Sequence, residues 1–209
     1  MFDLDGTISD SREGIMLSAA FALRKMNIIE SDPERLKLFA GPPLHETFSN
    51  IYGLTAADAE RAIQLYRRHY GETGMYRCAP YPGMLDLLRN LHIKGKRLYI
   101  ATSKLESFAL RVVSYLGMEE YFSVIAGSND DGSRAKKPDV IAHLLSQIPG
   151  IKKEETVMVG DMRFDIIGAR EQGLRSIGVS YGYGTIDELR EAGADAIARD
   201  AGELSSLLG

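Results

Sequence analysis

Phe2-Asp3-Leu4-Asp5-Gly6-Thr7, close to the first residue of the chain, reads as the end of a strand running into a tight turn. Side chains on a strand alternate between faces, so this spacing puts both aspartates on one side while Leu4 points to the other. With Asp5 where the strand gives way at Gly6, its main-chain carbonyl can face the same site. Oxygens clustered in this way suit a hard cation such as Mg²⁺. They suit phosphoryl transfer equally, in which one carboxylate attacks phosphorus and its neighbour handles the proton. The plain alternative is an acidic turn, because Asp, Gly and Thr are common turn formers. A calcium-binding EF-hand loop is excluded, since it would require Gly and Glu where Ile8 and Gly14 stand. The choice between chemistry and turn falls to the rest of the chain.

At 209 residues the chain suits one large domain, or a core carrying a smaller insertion. Hydrophobic residues at 44% and charged residues at 26% match an ordinary globular protein. A formal net charge of -4 gives no overall attraction to nucleic acid polymers or anionic membranes, so any phosphate site must be built locally. Cys78 is the only cysteine, which rules out an intramolecular disulfide and points to a reducing compartment. No apolar run has the length of a membrane span and no signal-peptide pattern opens the chain, so a cytoplasmic location is expected. Only Met1 and Phe2 precede Asp3, whereas a central strand has about five residues. The expectation is that the sequence starts late, with part of its first strand missing.

From Asp10 to about Tyr76 the pattern is helical. Asp10-x-x-Glu13 predicts a capping box ahead of the stripe Ile15, Ala19, Ala22, Leu23 and Met26. Asp32-Pro33 predicts a short second helix, and Gly41-Pro42-Pro43 a stiff turn before a third over Leu44 to Tyr52. Thr55 is placed to cap a fourth, with Ala59, Ile63, Tyr66 and Tyr70 on one face. Beyond Pro80 and Pro82 helical and strand patterns alternate, with apolar strands at Leu98 to Ala101, Val124 to Ala126, Thr156 to Val159, Ser176 to Val179 and Ala196 to Ala198. Helices are predicted near Met84 to Ile93, Ser107 to Leu116, Asp139 to Gln147 and Asp165 to Gln172, and after Thr185-x-x-Glu188 and Asp200-x-x-Glu203. Such alternation implies an α/β fold, a Rossmann-like doubly wound parallel sheet with helices on both faces and an inserted all-helical block. The predicted boundaries are residues 1–9 and 82–209 for the core and 10–81 for the insertion.

In that architecture ligands bind beyond the carboxyl ends of the strands. Asp3 and Asp5 end the first strand, and Thr102, Ser103 and Lys104 follow the second. Lys137 precedes the helix after the third strand, and Gly160-Asp161-x-x-x-Asp165 follows the fourth. Each has an ordinary reading alone: helix caps for Thr102, Ser103 and Asp165, a turn for Asp161, a solvated lysine for Lys137. Together, acids, a hydroxyl and an amine at successive strand ends point to one crevice. Four carboxylates against the single charge of Lys137 would repel a phosphate dianion, like charges ~4 Å apart costing roughly 4 kcal/mol at an effective dielectric near 20. A divalent cation is therefore expected. Gly182-Tyr183-Gly184 lacks the third glycine of a dinucleotide loop and reads as a loop bordering the site. His45, His69, His92 and His143 have no metal-ligand spacing.

The pattern resembles the haloacid dehalogenase superfamily of phosphohydrolases. Asp3-Leu4-Asp5-Gly6-Thr7 is similar to its first motif, Thr102 to its second, Lys137 to its third and Gly160-Asp161-Met162-Arg163-Phe164-Asp165 to its fourth, and the helical block resembles its cap. The resemblance implies Asp3 as nucleophile, Asp5 as acid and base, Thr102 and the Ser103 amide as phosphoryl ligands, and Lys137 as the neutralising cation. It implies Mg²⁺ held by the Asp3 carboxylate, the Asp5 carbonyl and Asp161, with Asp165 in support. Gly41-Pro42-Pro43-Leu44 and Asp131-Gly132-Ser133-Arg134 look most like the phosphoglycolate phosphatase and 5'-nucleotidase group. Gly41, Pro42 and His45 become candidate substrate contacts, and hinges are expected near Ile8 to Asp10 and Tyr76 to Tyr81. The expected partner is a small phosphorylated metabolite, with the protein a monomer or weak homodimer. The same motifs also fit a phosphomutase of the beta-phosphoglucomutase kind. A 2-haloacid dehalogenase fits poorly, having no use for such a metal site. From a different class, the chain could be a silent binding module or a receiver domain, although a receiver is smaller and has no helical insertion after its first acids.

Overall fold

The computed structural model describes residues 1–131 and 133–209, so Gly132 of the Asp131-Gly132-Ser133-Arg134 stretch lies outside the described residues. The chain divides into two compact units, Met1–Asp10 with Pro80–Gly209, and Ser11–Ala79.

The first unit is an α/β sheet. Leu98–Leu105 pairs in parallel with Phe122–Ser128, and Val157–Gly160 with Arg175–Val179, which in turn pairs with Ala196–Ala198. Phe2 bridges in parallel to Ile100 on one side and Val159 on the other. Its N–H donates to Tyr99 O at 2.8 Å, and the Asp3 N–H donates to Val159 O at 2.8 Å. Counted in chain order with the N-terminal segment first, the strands lie 3-2-1-4-5-6, the doubly wound order, and the switch point falls on the segment that ends in Asp3. Met1, Tyr99, Ala101, Ala126 and Met158 form one cluster with Val140, Ile141, Leu144 and Ala169 of the overlying helices. Phe2, Ile100 and Val159, which alternate to the opposite face, are equally buried, so both faces are covered.

Three local readings change. Asp10-x-x-Glu13 makes no capping box: Ser11 is the N-cap of Arg12–Lys25, without a side-chain cap bond. The Leu98 strand runs to Leu105 with an irregularity past Ala101, so Thr102 and Ser103 lie within extended backbone, and the next helix, Glu106–Tyr115, is preceded by Leu105. They are therefore not its caps. The Lys137–Ser146 and Arg163–Glu171 helices start two residues earlier than the periodicity suggests, which makes Lys137 the first residue of one and Asp165 an N3 residue of the other. Pro138 is tolerated in the first turn because no helical N–H is needed there.

The second unit is built from the helices Arg12–Lys25, Pro33–Lys37, Leu44–Tyr52 and Ala56–Glu72. Asp32 accepts from the Glu34 N–H with Pro33 in the first turn, and Thr55 accepts from the Asp58 N–H, as their sequences dictate. Ala59, Ala62, Ile63, Tyr66 and Tyr70 are buried on one face of the longest helix, which packs against Arg12–Lys25.

Candidate active site

At the switch point the first strand stops at Asp3 and the chain turns through Gly6. Gly6 has φ +81, and a Cβ there would stand 2.2 Å from Asp161 Oδ2, so both the turn and the space demand glycine. The Asp3 carboxylate is fixed in rotation, because Oδ1 accepts from the Leu4 N–H at 2.7 Å and from Lys137 Nζ at 2.9 Å. Lys137 Nζ also lies 2.7 Å from Asp165 Oδ1 and donates to Ala101 O at 3.0 Å. Its side chain is 3% exposed, which rules out the plain alternative of a solvated lysine. The cause is helix packing: a Cβ on Gly168 would come within 2.9 Å of Lys137 Cγ, so the neighbouring helix closes directly over the lysine stem.

Asp161 and Asp165 are fully buried. Asp161 Oδ1 accepts from Thr7 Oγ1 at 2.9 Å and its Oδ2 from the Tyr183 N–H at 2.8 Å. Asp165 Oδ2 accepts from the Met162 N–H at 3.0 Å. Glycine again makes room, since a Cβ at Gly160 would stand 2.2 Å from the Asp165 carboxyl carbon and one at Gly182 would stand 2.3 Å from Asp161 Cβ. The Tyr181 hydroxyl donates to Thr7 O at 3.0 Å and ties the same loop to the first turn. The loop at Gly182 therefore borders the site through a main-chain amide, a contact that side-chain chemistry in the sequence could not announce.

One oxygen from each of Asp3, Asp161 and Asp165 falls within 4.8 Å of the others. Burial, followed by the charges of Asp165 and Asp3, pushes the Asp161 pKa well above the ordinary carboxylate range. Burial likewise raises Asp165, to about 6, although the Lys137 ammonium pulls it down. Burial opposes the charge of Lys137, but Asp165 and Asp3 outweigh it and hold its pKa above the usual lysine value. Three buried carboxyl groups share one ammonium, and their resistance to ionising together without a further cation fits a hard divalent ion on these oxygen donors.

Asp5 stands apart from that trio. Its carboxylate meets Lys104, whose Nζ lies 2.6 Å from Oδ2 and 2.7 Å from Oδ1. This corrects the charge balance drawn from sequence: four carboxylates face two ammonium groups, leaving about -2 rather than -3 before any cation binds. Thr102 is 2% exposed, follows Ala101, whose N–H donates to Phe2 O, and its Oγ1 accepts from the Lys104 N–H at 3.3 Å. Ser103 is exposed beside it. Asp3, Asp161, Asp165 and Lys137 are thus brought into one cluster, with Asp5, Thr102 and Lys104 on the adjoining strand ends. Gly41, Pro42 and His45 belong to the helical unit, where Gly41 and His45 are exposed and Pro42 half-buried.

A family model described as haloacid dehalogenase-like hydrolase matches residues 1–179. A 5'-nucleotidase of Pseudomonas aeruginosa is 42% identical over 190 residues, covering 91% of this chain and 86% of its own. Tyrosine-protein kinase PtkA of Mycobacterium tuberculosis is 40% identical over 209 residues, covering 92% of this chain and 71% of its own. A solved structure described as a predicted phosphatase from Clostridium acetobutylicum superposes with TM-score 0.94 at 38% identity, over 99% of this chain and 95% of that one.

Proposed function

Because the chain belongs to the haloacid dehalogenase-like hydrolase family, we propose that it hydrolyses a small phosphate monoester, of the phosphoglycolate or nucleoside 5'-monophosphate kind, in two displacements at Asp3. The observation that carries this reading is the Lys137 ammonium bridging Asp3 and Asp165 inside a cluster of three buried carboxylates.

In the first displacement an Asp3 carboxylate oxygen bonds to phosphorus, the bond to the leaving oxygen breaks, and Asp5 gives that oxygen a proton. In the second, water bonds to phosphorus and gives its proton to Asp5, and the bond to Asp3 breaks, restoring the carboxylate and releasing phosphate. Thr102 and the Ser103 amide hold phosphoryl oxygens, and Lys137 offsets charge on Asp3 and on the group in transit. The Asp3 carboxylate, the Asp5 carbonyl and Asp161 would hold Mg²⁺, with Asp165 behind them. When bound, the ion supplies positive charge that lets an anionic site accept an anionic substrate. The helical unit is a cap in this reading, joined through Ile8 to Asp10 and Tyr76 to Tyr81, and Gly41, Pro42 and His45 are its candidate substrate-binding residues.

A screen of phosphoglycolate, nucleoside monophosphates, sugar phosphates and a phosphotyrosine peptide, with and without chelator, tests the proposal. Magnesium-dependent phosphate release that falls at least about 10³-fold in Asp3→Asn, with the melting temperature kept, is expected. Isomerisation of a sugar phosphate without phosphate release would replace hydrolysis by a mutase.

A further inference from the structure

Lys104 has no part in the mechanism above, yet its side chain is only 6% exposed and its ammonium meets both oxygens of Asp5. A lysine at a strand end ordinarily keeps its ammonium in water. Desolvating both charges is offset only by close geometry, and contact with both carboxylate oxygens is as close as an ammonium can come. The contact also fixes what a carboxylate on a turn would otherwise leave loose, the rotation of its plane. Thr102 and Lys104 lie two residues apart on the Leu98–Leu105 strand, and the Lys104 N–H donates to Thr102 Oγ1. One segment thus carries a phosphoryl-binding hydroxyl and the partner of the proton-transferring acid.

We propose that Lys104 is a positioning residue that clamps the Asp5 carboxyl plane, so that Asp5 takes its proton from water in the second displacement and, in the next turnover, delivers it to the leaving oxygen as the phosphorus–oxygen bond breaks. The inference rests on the reaction proposed above and adds to it a residue outside the four motifs. The clamp matters in proportion to how much the leaving group needs that proton. An alkyl monoester departs as a poor, strongly basic alkoxide unless protonated, whereas p-nitrophenyl phosphate releases an anion that is stable without help.

The experiment compares kcat/KM, which reports the steps up to phosphorylation of Asp3, for an alkyl monoester and for p-nitrophenyl phosphate in saturating Mg²⁺. The proteins are wild type, K104M, K104R, D5N and D5N/K104M. K104M is expected to lose about tenfold more on the alkyl ester than on the aryl ester. Arginine in K104R, whose fork also contacts both carboxylate oxygens, is expected to recover most of that difference. Adding K104M to D5N is expected to cost less than about twofold, since the acid it serves is gone. Equal losses on both esters, or full additivity with D5N, would overturn the proposal and leave Lys104 a phosphate ligand or a structural ion pair. Should K104M fail to fold, K104Q is read in the same ratio. Wild-type inactivity on both esters would strike the phosphatase reading itself, and the clamp with it.

Discussion

In the α/β unit Asp3, Thr102, Lys137, Asp161 and Asp165 at the strand ends are buried, whereas in the helical unit the buried face is apolar and Gly41, His45 and Glu46 lie exposed. Lys137 touches two carboxylates and a carbonyl, and glycines at 6, 160, 168 and 182 leave no space for the acids or the lysine to move. The helical unit is held by stripes such as Ala59, Ile63 and Tyr66 and by the Phe39–Phe48 and Phe39–Tyr52 ring pairs, and its ion pairs Lys37–Glu34 and Arg35–Glu30 reach solvent. Chemistry that tolerates no misplacement is built where packing fixes every atom. The segment offered for choosing a leaving group is mostly exposed.

That contrast can be broken most sharply by removing one cation from each unit. Lys137→Met leaves Asp3 and Asp165 buried beside each other without their shared partner, and a loss of about 3 kcal/mol in unfolding free energy is expected. Lys37→Met removes half of an exposed pair and is expected to shift stability by less than about 0.5 kcal/mol. Similar costs for the two variants in urea denaturation would erase the distinction.

A smaller effect tests the charge surplus itself. Burial raises Asp161, and raises Asp165 from 3.8 to about 6, so the ion-free folded chain holds protons that the unfolded chain releases. For Asp165 the stability this contributes is complete below the ordinary carboxylate pKa and is lost as pH rises through about 6. Mg²⁺ competes for the same oxygens, so the gain in melting temperature on adding it is expected to be larger at about pH 7.5 than at about pH 5. An equal gain at both would place the ion elsewhere. The smallest effect belongs to the helical unit: replacing Gly41 to Glu46 with a glycine-serine loop is expected to change the preference between two monoesters by about tenfold while leaving the Mg²⁺ requirement unchanged. Uniform losses on every monoester would remove the specificity role from that loop.

Much of this was legible in the residues. The 3.6-residue stripe of Ala59, Ile63, Tyr66 and Tyr70 and the caps at Asp32, Thr55 and Thr185 are local signals, and local structure follows them. Asp10-x-x-Glu13 carries the same signal and makes no box, because the chain at Asp10 is committed to a short strand. Lys104 next to Thr102 carries no local signal, since its role depends on Asp5, 99 residues away.

Sequence alone settled the alternation of strand and helix, the doubly wound class, and which residue types stand at the strand ends, because periodicity and strand-end position are properties of consecutive residues. Tertiary structure decided which of those groups share a hydrogen bond, an ion pair or a glycine-lined wall. Lys137 became buried because Gly168 lets a helix close over it, Asp5 found Lys104 because two strand ends adjoin, and the Tyr183 amide reached Asp161 across 22 residues of chain. Charge and hydrogen bonding act over a few ångströms of space, and only the folded chain sets those distances.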